Sequence, residues 1–574
     1  MMCSCPRVCV IRRRGTSPGW GSVRKTEDRL RPEWQHGRMR AMKANMRMLA
    51  TMIAVAALTS VSAQTPHATE SPSFKAPPPR FTDPDRRAKL ATAFPDIDRA
   101  MQEFVTRIHV PGAAWGIVVD GELAHAGAAG FRDVASKSPA DENTVFRIAS
   151  MTKSFTAMSI LKLRDDGKLA LDDPAERYVP ELKSLQYPTS DAPRITIRHL
   201  LSHSEGFPED NPWGDRQLAD TDDQMSAMMR AGIPFANAPG LAYEYSNYGF
   251  AILGRIVSRA SGMPYADYVT ANILRPLGMT ATTLEPSSVP PSRLAHGYRW
   301  EDEQWKEEPA LAHGSFGAMG GMLTSVRDLS RYVAVYMDAW PPRDAPETGP
   351  IRRASLREMQ QLWRPANALV TRDSGTGVLQ LNSGGYAFGL SVSQNCTFRH
   401  IVAHSGGLPG FGSVMRWLPE YGVGIIAFGN LTYTGWGGVV AAAFETLAKA
   451  GGLQPRAVQP APVLVEAHDA VSRLVERWDD ALADSIAAEN LFLDQSKERR
   501  KRELDDLHAK VGACKPDPVF NVDNPLRGRW TMTCERGTLQ AAITLAPTMP
   551  PRVQLFGVRE GPPVEPARTR SCPQ

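Results

Sequence analysis

The sequence predicts an α+β protein in which an antiparallel sheet packs against helices and a second lobe is mainly helical. Two short apolar runs, at 113–119 and 123–127, flank Asp120-Gly121 and give a hairpin signal. Helix-like patterns then dominate for about two hundred residues, broken by Pro/Gly loops. Strand-like runs return afterwards, followed by a closing helix at 438–450. A cleft between sheet and helical lobe is where we expect the site.

Hydrophobic periodicity places the remaining elements of the main domain, which we assign to residues 86–452. Helices are predicted at 86–109, 155–165, 196–203, 222–231, 248–261, 265–273 and 326–338, and strands at 387–393, 400–404, 412–418 and 422–430.

The end of the chain predicts a second, small α+β domain at 463–560. A Pro-rich linker at 453–462 precedes it. A charged helical stretch at 463–511 is followed by short strands at 526–558. The Pro-rich tail at 561–574 is predicted to be disordered.

The front of the chain has the pattern of an export signal. Residues 1–41 are arginine-rich and irregular, and we expect an unstructured upstream extension there. Residues 42–63 combine a basic start, a short apolar run and a small-residue cleavage site ending at Ala63, as signal peptides do. Cleavage predicts a periplasmic or secreted protein without stable membrane insertion, and the alternative is an anchor formed by an uncleaved 48–63 segment. The Pro- and Ser-rich stretch 64–85 is predicted to be a linker.

Charge and cysteine content narrow the function classes. The formal net charge is +5, but residues 1–63 hold twelve Lys/Arg against three Asp/Glu, and the remainder holds 54 basic against 58 acidic residues. Without a basic patch beyond residue 63, nucleic acid is not an expected partner. Four cysteines follow residue 63, and of the three connectivities they allow we predict the pair Cys514–Cys534.

The chemistry is predicted from a segment that turns into a helix near residue 150. Ser150 and Lys153 are three positions apart, so both side chains lie on one helix face. A desolvated lysine can take the proton of a serine nucleophile, and the helix N-terminus can stabilise an oxyanion. By spacing alone, Ser150 is equally well explained as a helix-capping serine beside a solvated lysine.

Two later motifs supply partners for this serine. Of thirteen tyrosines, only Tyr245 has an asparagine, Asn247, two places later. A phenol near a lysine is a candidate general base, and an amide can orient a substrate. The segment His404-Ser405-Gly406-Gly407 lies at the end of a predicted strand. Its glycines allow close backbone approach, so its edge could hold an extended substrate by main-chain hydrogen bonds.

Together and in this order, S-x-x-K at Ser150, Y-x-N at Tyr245 and H-x-G at His404 resemble the serine β-lactamase and penicillin-binding-protein superfamily. The likeness is strongest to its class C and D-aminopeptidase/esterase/D,D-peptidase branch and covers about residues 95–450. It implies a β-lactamase/transpeptidase-like antiparallel sheet flanked by helices, with a helical lobe.

The resemblance also implies roles for individual residues. Ser150 would be the acylated nucleophile, Lys153 and Tyr245 would share the base and acid roles, and Asn247, His404, Ser405 and Gly406 would bind substrate. The oxyanion hole would be the backbone N–H groups of Ser150 and Gly407. No metal or other cofactor is implied; His199 and His203, at i and i+4, are predicted to be packing or capping histidines.

Two departures from the family pattern bear on the substrate. His404 stands where many members have lysine, and a histidine near pH 7 is mostly neutral, so it anchors a carboxylate less well. The loop that often reads T-S-G is here Ser204-Glu205-Gly206, in which we expect Glu205 to be solvated.

The sequence therefore predicts an exported serine hydrolase that cleaves amide or ester bonds of a small molecule or peptide through an acyl-enzyme. Peptidase or esterase activity is favoured over efficient β-lactam hydrolysis because of His404. The alternative is a catalytically idle module that captures penicillins or cell-wall peptides as a sensor. No oligomeric state is predicted.

Overall fold

The structure, a computed structural model, describes residues 74–372 and 379–564. The predicted upstream extension, the signal peptide with its cleavage site or anchor, residues 64–73 of the first linker and most of the tail lie outside the described residues. None of the helices in the described part of the chain has the length and apolarity needed to cross a membrane.

A large antiparallel sheet forms the centre of the main domain. Its nine strands follow the order β3-β2-β1-β13-β12-β11-β10-β9-β8. The strands of the main domain are β1 (Gly112–Val119), β2 (Glu122–Asp133), β3 (Ser138–Pro139), β4 (Phe146–Arg147), β5 (Tyr298–Glu301), β6 (Gln304–Glu307), β7 (Leu323–Thr324), β8 (Arg364–Arg372), β9 (Leu379–Tyr386), β10 (Ser391–Asn395), β11 (Ile401–Leu408), β12 (Phe411–Leu418) and β13 (Val423–Gly429).

Helices cover both faces of this sheet and build the helical lobe. They are α1 (Arg86–Ala91), α2 (Phe94–Arg107), α3 (Thr152–Asp165), α4 (Ile197–Leu201), α5 (Asn211–Gly214), α6 (Asp222–Ala231), α7 (Asn247–Ser261), α8 (Tyr265–Val269), α9 (Gly317–Gly320), α10 (Val326–Asp338), α11 (Arg353–Glu358) and α12 (Gly437–Lys449).

The alternation of side chains along β1 explains why both faces of the sheet are covered. Trp115 and Ile117 point into the core with α2 and α12, whereas Ala114 and Val118 point into the core with α3 and α10. Every residue of β1 is buried. Because neighbouring residues of a strand face opposite sides, such a strand needs a helical layer on each face.

The end of the chain forms a separate small α+β unit. It contains α13 (Pro462–Glu476), α14 (Asp480–Ile486), α15 (Leu491–Asp494), α16 (Lys497–Val511), β14 (Cys514–Asn524), β15 (Arg527–Cys534), β16 (Gly537–Leu545) and β17 (Val553–Glu560). The four strands make one antiparallel sheet in sequence order, with its own apolar core against α13. Cys514 and Cys534 form a disulfide between paired positions of β14 and β15.

The predicted α+β class, with a large antiparallel sheet, a helical lobe and a small C-terminal unit, is confirmed. The predicted helix 86–109 is instead two helices, because Pro95 lacks an N–H and is favoured in a first turn, so α2 begins at Phe94. The strand containing His404 continues to Leu408, so His404 lies within β11 and not at its end. Strands β8, β9 and β14 were not predicted.

Backbone pairing joins parts of the two predicted linkers. Arg80 and Ala457 exchange backbone hydrogen bonds of 3.2 and 2.8 Å. Beside them, the Phe81 ring contacts the guanidinium groups of Arg86 and Arg456, at 3.8 and 4.4 Å from its centroid. These described linker residues are therefore held against the main domain.

Candidate active site

Ser150 lies in a strained turn that leads into α3. The preceding residue, Ala149, has a φ of +48°, in the left-handed region that residues with a Cβ rarely adopt. A short 3₁₀ turn, Ala149–Met151, then runs directly into α3. The Ser150 hydroxyl is thereby placed at the first turn of the helix, and its side chain is only 7% exposed.

Three neighbouring segments hold the chain just before this serine. The Ile148 carbonyl accepts a hydrogen bond from the Ser413 hydroxyl of β12 at 2.8 Å, and the Ile148 N–H donates to the Met322 carbonyl at 3.0 Å. On β11, a Cβ placed on Gly406 would lie 2.2 Å from the Ile148 oxygen. The glycine is needed there because β11 passes directly against the turn that carries Ser150.

Lys153 is fully buried and connects three elements. Its Nζ lies 3.0 Å from Ser150 Oγ, 2.6 Å from Asn247 Oδ1 on α7 and 2.9 Å from the Met319 carbonyl oxygen on α9. The amide oxygen and the carbonyl oxygen can only accept hydrogen bonds, whereas the serine hydroxyl can also donate. An ammonium fits this cage by donating to all three oxygens. A neutral amine also fits it, with two N–H groups on the two carbonyl oxygens and its lone pair facing the Ser150 hydroxyl.

Burial favours that neutral form. It lowers the pKa of Lys153 to about 7, because an ammonium loses its hydration there. The carboxylates of Asp215 and Asp210 oppose the shift, with Asp215 the stronger of the two. At neutral pH a large fraction of Lys153 can thus act as a proton acceptor.

Polar side chains fix the N-terminus of α7, which presents the Y-x-N motif. The Asp210 carboxylate accepts the N–H groups of Asn247 and Tyr248 at 2.6 and 2.9 Å. The Ser246 hydroxyl caps the same helix by accepting the Gly249 N–H at 3.0 Å. A carboxylate and a cap at a helix N-terminus are stabilising, and here they set the position of the amide that holds Lys153.

Tyr245 immediately precedes this cap and packs over Lys153. The Lys153 Nζ lies 4.8 Å from the centre of the Tyr245 ring. Burial raises the pKa of Tyr245 well above its ordinary value, and the neighbouring Ser150 hydroxyl opposes this only in part. The phenol therefore keeps its proton near neutral pH, which separates its protonation state from that of the lysine.

His404 is buried, and both of its ring nitrogens are used by the protein. Nδ1 lies 2.6 Å from the Ser405 carbonyl oxygen and therefore carries the proton, so Nε2 accepts from the Tyr386 hydroxyl at 2.7 Å. Burial and the neighbouring Lys153 charge lower the pKa of His404 to about 3. The side chain is thus neutral at pH 7, and its direct contact with a substrate stays a prediction.

The edge of β11 beside Ser150 is open on one side. Residues 401–403 pair with β10, whereas the ladder with β12 runs from Val402 to Leu408. In the described chain, residues 404–408 are thus strand-paired only toward β12. This segment contains the exposed Ser405 and the Gly407 N–H that the sequence assigns to substrate binding and to the oxyanion hole.

Tyr433 and Asp215 meet across the cleft near Gly407. The Tyr433 hydroxyl donates to Asp215 Oδ2 at 3.0 Å, joining the loop after β13 to the segment after α5. A Cβ on Gly407 would lie 2.7 Å from Tyr433 Cδ1, so the ring packs on the Gly407 backbone. Burial raises the pKa of Asp215 to about 6, and Lys153 opposes that shift.

Glu205 corrects one expectation from the sequence. It was expected to be solvated but is fully buried, and burial raises its pKa well above the ordinary value. A Cβ on Gly249 would lie 2.2 Å from Glu205 Oε1, so the carboxyl packs against the first turn of α7. Its proton is retained because a carboxylate would be desolvated in this place.

The two histidines beside this loop have capping and packing roles, as predicted. His199 forms a capping box with Thr196 at the start of α4. His203 Nδ1 accepts the Ser246 N–H at 3.1 Å, and its ring lies 4.3 Å from that of Tyr245. In the described residues, no three His, Cys, Asp or Glu side chains are grouped as metal ligands would be.

The model of the family described as Beta-lactamase matches residues 97–450. That is more than half of the 574-residue chain and contains every residue of the site above. The chain belongs to the β-lactamase family. Membership supports a serine hydrolase of the β-lactamase and penicillin-binding-protein type in general terms.

Curated relatives agree with this placement. Protein flp from Staphylococcus aureus (strain N315) is 28% identical over 341 residues, covering 58% of this chain and 62% of the relative. Penicillin-binding protein 4* from Bacillus subtilis (strain 168) is 28% identical over 316 residues, covering 51% of this chain and 62% of the relative. The chain thus spans less than two thirds of the length of these relatives.

Among solved structures, the fold is similar to that of the octameric penicillin-binding protein homologue from Pyrococcus abyssi. The TM-score is 0.53 at 20% identity, and the match covers 79% of this chain and 96% of that one. At that identity the likeness shows the fold alone.

Several groups in the site were not found from the sequence. Asp210, Asp215 and Tyr433 are ordinary loop or helix-end residues in the sequence, and no short motif marks them. The Met319 contribution is a backbone carbonyl, which no residue type signals. Only the Asp210-Asn211-Pro212 stretch, typical of a helix start, was available as a signal.

Gly406→Ala should disturb the turn that carries Ser150. The new Cβ would approach the Ile148 carbonyl to 2.2 Å, and backbone cannot give way cheaply. We expect a loss of about 1–3 kcal/mol in the free energy of unfolding and at least tenfold slower fluorophosphonate labelling of Ser150. Gly438→Ala, where a Cβ would meet nothing within 4 Å, is the matched control. Equal behaviour of the two variants in denaturation and labelling would contradict this account.

The substitution Glu205→Gln should stabilise the folded protein, relative to wild type, increasingly as the pH rises. In the unfolded chain this carboxyl ionises above about pH 4.5, but the folded protein holds it protonated, so the wild type loses stability from pH 4.5 up to the raised pKa. Glutamine is neutral in both states and removes the loss. We therefore expect the melting temperature of the variant, relative to wild type, to increase between pH 5 and pH 8. Glu303→Gln, at an exposed position, should show no such trend.

Proposed function

We propose that the protein is an exported serine hydrolase that cleaves amide or ester bonds of peptides or small molecules through an acyl-enzyme on Ser150. The observation that carries this proposal is the cage of Lys153, in which two carbonyl oxygens orient a buried and partly neutral amine toward the Ser150 hydroxyl. Export rests on the signal-like segment 42–63 alone.

In the acylation step, Lys153 Nζ takes the hydroxyl proton as Ser150 Oγ attacks the substrate carbonyl. The pKa of about 7 suits a base at neutral pH, because a useful fraction is unprotonated and the resulting ammonium is still acidic enough to release its proton. Tyr245, whose raised pKa keeps it protonated, passes a proton to the leaving amine or alcohol and is reprotonated from Lys153. Water then attacks the ester of Ser150, and the same groups carry the proton in reverse.

Backbone groups would stabilise the charge that develops on the substrate oxygen. The Ser150 N–H lies at the start of α3, and the Gly407 N–H lies in the segment of β11 whose strand pairing is on the β12 side. Removing one such donor typically costs about 3–4 kcal/mol of transition-state stabilisation. The same open edge could pair with an extended substrate by main-chain hydrogen bonds.

The state of His404 favours peptide or ester substrates over efficient β-lactam hydrolysis. A lysine in this position would offer a cation to a substrate carboxylate. Here the ring is neutral, with its pKa lowered to about 3, and both nitrogens bind protein groups. The carboxylates of Asp210 and Asp215 further disfavour an anionic substrate group.

Ser150→Ala should abolish fluorophosphonate labelling and turnover. Intact-mass spectrometry of wild type after reaction is expected to show one adduct, and the variant none, because only the Lys153-facing hydroxyl is activated. Ser159 and Lys162 have the same S-x-x-K spacing within α3, so Ser159→Ala is the control and should label as wild type does. Labelling of the Ser150 variant would contradict the proposal. A lasting penicillin adduct on wild type without turnover would instead favour the sensor alternative.

The pH profile should report Lys153. For a neutral p-nitrophenyl ester, kcat/KM is expected to rise with pH and level off above about pH 7, since the base works only after losing its proton. Tyr245, which has to stay protonated in this scheme, should add no falling limb between pH 5 and pH 9, because its pKa is raised. A profile that is flat from pH 5 to pH 9, or one that rises only near pH 10, would exclude a depressed lysine base.

A further inference from the structure

Asp215 lies beside the nucleophile without being used by it. The residue before it, Gly214, packs against Asn247, since a Cβ on Gly214 would lie 2.7 Å from Asn247 Cβ. Among the carboxylates that act on Lys153, Asp215 has the stronger effect. Yet the three hydrogen bonds of Lys153 go to Ser150, Asn247 and the Met319 carbonyl. Asp215 is thus a buried residue, only 3% exposed, that makes no direct hydrogen bond to Lys153.

The partner of this carboxylate is a neutral hydroxyl. In the described chain, Asp215 forms no salt bridge, and its side chain accepts one hydrogen bond, from Tyr433 to Oδ2. Arg216 and Lys153 act on it only through space. A buried carboxylate is normally paired with a cation, so the site lacks a positive partner that a ligand could supply.

The side chain of Tyr433 could be displaced by such a ligand. Its backbone is held by N–H bonds to the Leu408 and Phe411 carbonyls at 3.4 and 3.1 Å, but its side chain is 49% exposed. The ring lies on the Gly407 backbone, at the segment that would hold the substrate carbonyl. Its hydroxyl is therefore the hydrogen-bond donor that a ligand group binding to Asp215 Oδ2 would replace.

We propose that Asp215 is a specificity-determining residue that binds a protonated amino group on the substrate close to the scissile carbonyl, with Tyr433 as the donor that this group replaces. This inference rests on the proposed function and narrows its substrate class to amides or esters with a free amine on the acyl part. The amine donates a charge-assisted hydrogen bond to the carboxylate, and blocking that amine removes it.

Binding of such a substrate would also assist the base. The groups that act on Asp215 are Lys153, Asp210, Arg216 and the Tyr433 hydroxyl. Asp215 stabilises the charged form of Lys153, and a substrate ammonium paired with Asp215 cancels that effect. The correct substrate thus shifts Lys153 toward its neutral, proton-accepting form.

The test compares alanyl p-nitroanilide with N-acetyl-alanyl p-nitroanilide, in both D and L forms, on the full-length protein. Wild type should prefer the free amine by at least tenfold in kcat/KM. In Asp215→Asn this ratio should fall to about 1, chiefly through a higher KM for the free amine. Asp223→Asn, which changes an exposed carboxylate on α6, should keep the wild-type ratio.

Tyr433→Phe gives an independent readout, because it removes the competing hydroxyl but leaves the carboxylate. Its KM for the free amine should be equal to or lower than that of wild type. A wild type that prefers the acetylated substrate, or an Asp215→Asn variant that loses both activities equally, would overturn the inference.

Hydrolysis of a neutral p-nitrophenyl ester separates this inference from the proposed function. Ester turnover that depends on Ser150, without any preference for free amines, would refute the subsite alone. No turnover of any substrate and no fluorophosphonate labelling would refute both.

Discussion

The buried amine of Lys153 is the point on which the geometry of the site depends. Its three hydrogen bonds tie α3 and the turn before it to α7 and α9, so these elements are aligned at Ser150. A side chain with no exposure and three fixed partners has little freedom to move. Burial also lowers the proton affinity of Lys153, which suits this amine to its proposed role as a base. One arrangement therefore serves both architecture and chemistry.

Around this amine the protein separates its titratable groups by environment. The pKa of Lys153 is lowered and that of Tyr245 is raised. Near neutral pH, Lys153 can therefore accept a proton and Tyr245 can give one. Burial holds His404 and Glu205 neutral: His404 is an unprotonated imidazole and Glu205 is a protonated carboxyl. The charged groups at the centre are the carboxylates of Asp210 and Asp215 and the partly protonated Lys153. An electronegative cleft with a neutral histidine is a different recognition surface from one that offers a lysine to a carboxylate.

How much could be predicted depended on how local each feature is. Ser150 and Lys153 were found because a spacing of three in a helix places two side chains on one face. Tyr245 and Asn247 were found through a short motif at a helix start. Asp215 and Tyr433, more than two hundred positions apart in sequence, meet only in the folded chain, and neither has a distinctive neighbourhood.

The same distinction applies to the elements of the fold. The long apolar strands and amphipathic helices were predicted. Strands β8 and β9, at one end of the sheet, are exposed over much of their length and have little buried face to create a pattern. Glu205 was expected in solvent because its residue type favours water. Only the packing of α7 over it shows otherwise.

The pairing of β1 with β13 has a consequence for how the protein is made. Ala113 lies opposite Gly429, so the centre of the sheet joins residues separated by more than three hundred positions, with the whole helical lobe between them. Such a high contact order slows folding, because a long loop must close before its contacts repay the entropy. The segment that supplies β11 and β12 also comes late in synthesis. The nascent chain therefore cannot assemble this centre until almost the entire main domain has been translated.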